Sequence, residues 1–77
     1  MNETTSNFKL AICILAEEDE DLEVWKMYKV LPDSQALELG CLRIIDESGE
    51  DYLYPQSKFV MLELADNVQQ KLLQVVN

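Results

Sequence analysis

The chain has 77 residues, 48% of them apolar, with 15 Asp and Glu against 6 Lys and Arg and a formal net charge of −9. That length limits it to one domain with a small core and about 3–5 kcal/mol of stability. The apolar fraction excludes a disordered tail. The acidity disfavours nucleic acid and anionic membrane surfaces as partners and leaves another protein, best a basic one, or solubility alone. Histidine is absent, which removes the usual general base and the commonest metal ligand.

Met1 to Asn7 is polar and without periodicity, so residues 1–7 are expected to be a disordered N-terminus and residues 8–77 one domain. Phe8 to Ala16 is short and rich in Ile, Leu and Phe, which predicts a strand. Phe8, Leu10, Ile12 and Ile14 share one face of it; Lys9, Ala11, Cys13 and Leu15 share the other. Both faces are mostly apolar, so the strand is expected to be covered on both sides or to meet a partner on the second. Leu10 to Ala16 is too short to span a bilayer and lacks the flanks of a signal peptide, which predicts a cytoplasmic protein.

Glu17 to Glu23 holds six acids in seven positions. It lacks the alternating oxygen ligands and mid-loop glycine of a calcium loop, so a mobile, solvated acidic loop is expected and no metal or other cofactor. Val24 to Leu31 predicts a second strand. Val24, Lys26, Tyr28 and Val30 face one way and Trp25, Met27, Lys29 and Leu31 the other. Each face carries a lysine, so alternation leaves the inner face open, and a bulge would reconcile the two. Trp25 and Tyr28 with two lysines also make a weak stacking patch for nucleic acid.

Pro32 stops that strand. Asp33 or Ser34 is placed to cap a one-turn helix that Gly40 closes, so residues 33–40 form a short helical connection. Cys41 to Glu47 is a third strand and Asp51 to Tyr54 a fourth, with Ser48-Gly49 as the tight turn. A two-residue loop sets Ile44 opposite Leu53 and Ile45 opposite Tyr52. Leu42, Ile44 and Leu53 then form the core face, and Arg43, Ile45, Tyr52 and Tyr54 the outer one; a longer loop alters this pairing. Pro55 ends the fourth strand, Gln56 to Lys58 makes one tight turn, and Phe59 to Leu64 is the last strand. Asp66, with Gln69 three residues on, suits the cap of a final helix whose apolar stripe is Val68, Leu72, Leu73, Val75 and Val76.

The run Arg43-Ile44-Ile45-Asp46-Glu47-Ser48-Gly49-Glu50-Asp51-Tyr52-Leu53-Tyr54-Pro55, followed by Phe59, resembles small bacterial SH3-like β-barrels. Phe8 to Leu73 as a whole is similar to a family of short uncharacterised bacterial proteins of cyanobacterial type, through Phe8 to Ile14, Tyr28 to Asp33 and Glu50 to Pro55. The acidic run is heavier here than that pattern leads one to expect. The resemblance implies a mainly β fold, an SH3-like small barrel of about five antiparallel strands with a one-turn helix and a C-terminal α-helix. It implies no activity and no catalytic residues.

The expected function is therefore a small acidic protein-binding or accessory module, not an enzyme, acting as a monomer or weak homodimer. The alternatives are a nucleic-acid or ribosome-associated barrel, which the charge opposes, and the neutralising partner of a basic protein. The candidate partner-binding residues are Trp25, Tyr28, Arg43, Tyr52 and Tyr54, the residue types that anchor interfaces. Trp25 and Tyr54 serve equally well as rings that close a small core. Acid pairs such as Asp46 and Asp51 flank a turn without a pocket. Cys13 and Cys41 sit in apolar runs, where a reduced thiol packs as a small hydrophobe; a bridge between them requires neighbouring strands.

Overall fold

The computed structural model describes residues 8–76; the expected disorder of residues 1–7 lies outside these. The elements are β1 (Lys9–Cys13), β2 (Met27–Leu31), α1 (Ser34–Glu38), β3 (Cys41–Ile45), β4 (Asp51–Pro55), a 3-10 turn (Gln56–Lys58), β5 (Phe59–Met61) and α2 (Asp66–Leu73). The fold is mainly β: one antiparallel sheet in the order β4-β3-β2-β1-β5, rolled into a half-barrel.

The roll follows from one short connection. β4 and β5 are the two edges of the sheet, and only Gln56 to Lys58 join them. A flat five-stranded sheet would set its edges about 19 Å apart, at about 4.8 Å per strand. A single 3-10 turn advances roughly 2 Å per residue and does not span that distance. The edges therefore curl towards each other around the interior.

Cα pairing identifies the inner face. Ala11 lies opposite Tyr28, Val30 opposite Ile44, Leu42 opposite Tyr54, and Cys13 opposite Phe59. These residues and Leu22 make one buried cluster. The small residues of β1, Ala11 and Cys13, face inward, where space is shortest. Its bulky Leu10 faces outward and is fully buried, and α2 packs against β1, with Leu73 and Gln69 buried. β1 is thus covered on both faces, as its two apolar faces require. The helix is turned one position from the expected stripe. Gln69, Leu72, Leu73 and Val76 face inward at helical spacing, while Val68 and Val75 are exposed. Ala65 is its N-cap and makes no side-chain bond; Asp66 lies in the first turn, where the helix dipole favours it.

The one-turn helix α1 forms as expected. Asp33 is its N-cap, its Oδ1 accepting from Ala36 N at 3.0 Å, and Gly40 follows with φ 74°. Cys13 and Cys41 are both free, on β1 and β3, which β2 separates.

The β3–β4 hairpin corrects the expected register. Ile44 pairs with Tyr52, Arg43 with Leu53 and Leu42 with Tyr54. The loop is one residue longer than a two-residue turn. Gly49 N donates to Asp46 O at 3.0 Å and Asp46 N to Glu50 O at 3.1 Å, so Gly49 and Glu50 together oppose Asp46, with Gly49 at φ 86°. That is a bulge with glycine in the left-handed position. The extra residue inverts β4: Tyr54 turns into the core and Leu53 out of it.

Leu53→Ala tests this register, with the fully buried Leu10 of β1 as the reference. Leu53→Ala should cost less than about 1 kcal/mol, whereas Leu10→Ala should cost about 2–5 kcal/mol and leave little folded protein. Denaturant titration measures both; equal losses would return Leu53 to the core. Gly49→Ala meets no atom within 4 Å, so its loss should be the backbone cost alone, about 1 kcal/mol.

Candidate functional site

The turn after β3 organises the polar half of the interior. Asp46 is buried; its Oδ1 accepts from Ser48 N at 3.0 Å and from Ser48 Oγ, and its Oδ2 from the Tyr54 hydroxyl at 2.6 Å. Glu47, the next residue, accepts at Oε2 from the Tyr28 hydroxyl at 2.6 Å and forms an ion pair with Lys26 Nζ at 2.9 Å. The Tyr28 oxygen also accepts from Glu23 N at 2.8 Å. Both phenol rings stand edge-on to Phe59, with centroids at 6.4 and 6.1 Å. A buried hydroxyl is expensive without a partner, and two consecutive acids supply both partners.

The charges are set by these bonds. Burial pushes the Asp46 carboxyl up, but the Ser48 and Tyr54 hydrogen bonds outweigh it and hold the group below the usual carboxylate range. Glu47 is lowered by Tyr28 first and Lys26 second. Tyr28 and Tyr54 are raised, first by burial and then by their carboxylate partners.

The acidic loop is fastened to the same turn. Leu22 is buried, Asp21 O accepts from Glu47 N at 2.9 Å, and Glu20 Oε1 accepts from Glu17 N at 2.9 Å and Lys58 Nζ at 3.1 Å. The expected freely mobile loop is thus anchored at three points, while Glu17, Glu18, Asp19, Asp21 and Glu23 stay exposed. Lys58, most of it buried, was a residue without a sequence signal; its ion pair joins positions 38 apart.

The β1–β2 connection repeats the bulge of the other hairpin with a different residue. Lys26 N donates to Glu23 O at 3.2 Å, closing a turn. Trp25 N donates to Cys13 O at 2.7 Å and Cys13 N to Lys26 O at 2.9 Å, so Trp25 and Lys26 together oppose Cys13. This is the bulge that the two-faced pattern of the second strand suggested. It puts Tyr28 and Val30 inside and begins β2 at Met27. Trp25 takes the left-handed position, with φ 78°, and is the one non-glycine residue with positive φ among the described residues. A bulky residue there costs about 1–2 kcal/mol. Its side chain is 82% exposed, so burial does not offset that cost.

The five candidate residues therefore separate. Tyr28 and Tyr54, 3% and 9% exposed, are core residues; their hydroxyls are bound and no partner reaches the rings. Arg43 is held on the outer face, Nε to Asp33 Oδ2 at 2.7 Å and Nη1 to Asp51 Oδ2 at 3.0 Å, and so ties the cap of α1 to β4. Tyr52 is half exposed on edge strand β4, two strands from β2, its hydroxyl donating to Glu50 at 3.0 Å. Trp25 alone is fully presented. The stacking patch for nucleic acid does not assemble, since Tyr28 is inside and Lys26 is paired with Glu47.

Elsewhere, an apolar groove of about 420 Å³ opens between β2, α1 and β5, lined by Val30, Leu37, Leu42 and Met61 with Lys9 and Arg43 beside them. Among the described residues no group of three His, Cys, Asp or Glu side chains is placed to hold a metal ion. No described helix is long and apolar enough to cross a membrane. No protein-family model, curated protein or solved structure matches the chain.

The two phenol–carboxylate pairs predict a stability plateau with two limbs. Tyr28 and Tyr54 have raised folded pKa values, so their contribution is complete below the unfolded value of about 10 and is lost as pH rises through the folded values. Asp46 and Glu47 have depressed values; theirs is present above about 4 and lost as pH falls through the folded values. Denaturant midpoints across pH should show both limbs, and Tyr54→Phe should flatten the alkaline one at a cost of about 1–3 kcal/mol. Phenolate absorbance should rise for Tyr52 before unfolding and for the other two only with it. A single titration of all three in the folded state would contradict the arrangement.

Proposed function

We propose that the chain is a small acidic protein-binding or accessory module of SH3-like type with no catalysis of its own. One observation carries this: a tryptophan, the residue most enriched at binding hot spots, stands 82% exposed in a strained backbone position that the fold would fill best with glycine. Residues held in such positions at a cost are characteristic of sites that act on something else.

Other features agree. The strand order, with a 3-10 turn between β4 and β5, supports the SH3-like relationship and, with the motif residues, membership of the short bacterial family. Barrels of that type bind partners through aromatic surfaces between loops. Asp46, the one buried acid among the described residues, has both carboxylate oxygens taken up in structural hydrogen bonds. A cytoplasmic location accompanies this function. A neutralising role towards a basic protein draws on the same exposed acids and is a special case of protein binding.

The test is capture from the host lysate with tagged wild type and Trp25→Gly, at low and moderate salt, with quantification by mass spectrometry. One stoichiometric partner, retained by wild type and lost by the variant, is expected. A partner retained equally by both removes Trp25 from the function. An empty capture by wild type at both salts rejects the protein-binding module.

A further inference from the structure

We propose that Trp25 and the exposed acids of the preceding loop dock an arginine-bearing segment of a partner protein. This rests on the protein-binding function above and names the partner's chemistry.

The ring is presented from a fixed backbone, not from a loose tail. Hydrogen bonds of 2.7 and 2.9 Å to Cys13 hold the residues on which it stands, and Cys13 is fully buried in the core. The fold does not explain the residue. Its φ of 78° suits glycine, and the other hairpin places Gly49 at the equivalent point with φ 86°. The ring–ring contacts among the described residues join Tyr28, Tyr54 and Phe59 and do not include Trp25. With 82% of the residue exposed, the indole is accessible to a ligand.

The charge around it selects which ligand. Lys26, the next residue, is paired with Glu47, and Lys58, the cation that reaches the acidic loop, is paired with Glu20. Glu17, Glu18, Asp19, Asp21 and Glu23 are exposed and form no ion pair among the described residues. A bare aromatic surface would take any apolar side chain; one that follows directly on a loop of exposed, uncompensated carboxylates favours a cation and disfavours phosphate and acidic peptides. Arginine fits better than lysine. Its planar guanidinium stacks on an indole face and at the same time offers a fork of N–H donors to carboxylates, whereas an ammonium is a compact hydrated point charge.

Trp25 is the single tryptophan of the chain, so its fluorescence reads this surface directly. The purified full chain is titrated with a short arginine–glycine repeat peptide, its lysine–glycine counterpart and an aspartate–glycine control, at low and physiological salt. A saturable change with the arginine peptide is expected, weaker at higher salt, with no response to the aspartate peptide. By calorimetry Trp25→Gly should lose about two- to fivefold in affinity, the worth of one exposed cation–π contact, and Trp25→Phe should recover part of it. The melting temperature of Trp25→Gly should not fall, which separates lost binding from lost folding. Equal affinity for the lysine and arginine peptides, undiminished binding by Trp25→Gly, or no binding to wild type each overturns the proposal. If the arginine peptide fails while a lysate partner is still captured through Trp25, only the partner's chemistry is rejected. If capture is also insensitive to Trp25→Gly, the protein-binding function falls with it.

Discussion

Two hydrogen bonds from tyrosine hydroxyls to consecutive acids decide how this half-barrel is filled. Tyr54 donates to Asp46 and Tyr28 to Glu47, both at 2.6 Å, and the two rings stand edge-on to Phe59. A domain of this size has few large side chains with which to fill its interior. Tyrosine fills as much space as phenylalanine but brings an oxygen that must be satisfied. One turn satisfies both oxygens and so ties β2 and β4 to the end of β3. Through Asp21 O and Glu47 N the acidic loop joins the same point. Acids of this chain are therefore parts of the interior as well as a solvated coat. The protein should be most stable where carboxylates are charged and phenols neutral.

Much of the chain was legible because local and global preferences agree. Asp33 and Gly40 bracket a helix turn that only a short connection allows. The two apolar faces of β1 are both covered, and Pro55 with Phe59 frames the corner that rolls the sheet. The register of β3 and β4 was not legible from apolar pattern alone, because Leu53 and Tyr54 are both acceptable core residues and Ser48-Gly49 serves loops of two lengths. The deciding features are the Asp46 side chain, which bonds Ser48 N two residues on, and the distant Tyr54. The first is a recognised turn signal of Asp and could have been read. The second depends on packing. Likewise the inner face of α2 lies one position from its apolar stripe, since a buried glutamine, Gln69, carries no hydrophobic signal.

The candidate site was less legible than the fold. All five expected partner residues are of the right chemical types, yet residue type alone does not separate a ring in the core from a ring on a turn. Tyr28 and Trp25 lie three positions apart. Simple alternation would put them on opposite faces of one strand. The bulge opposite Cys13 instead ends the strand at Met27 and carries Trp25 into a turn. Nothing between Glu23 and Lys26 marks a left-handed residue: there is no Gly, Asn or Asp in that turn. The conformation is imposed by hydrogen bonds to Cys13, a residue more than ten positions away.

Comparison of the two bulges isolates what is unusual. Each closes a hairpin by the same pair of hydrogen bonds, opposite Asp46 in one case and Cys13 in the other, and each needs one residue with φ near +80°. At Gly49 the requirement is met without steric cost. At Trp25 it costs about 1–2 kcal/mol, against a total of about 3–5 kcal/mol for a core of this size. That is a large fraction to retain at a side chain that contributes so little burial. Folding alone would favour glycine at both hairpins. The proposed binding function places the origin of that difference in something the indole meets, and the exposed carboxylates that lead up to it favour a cation there.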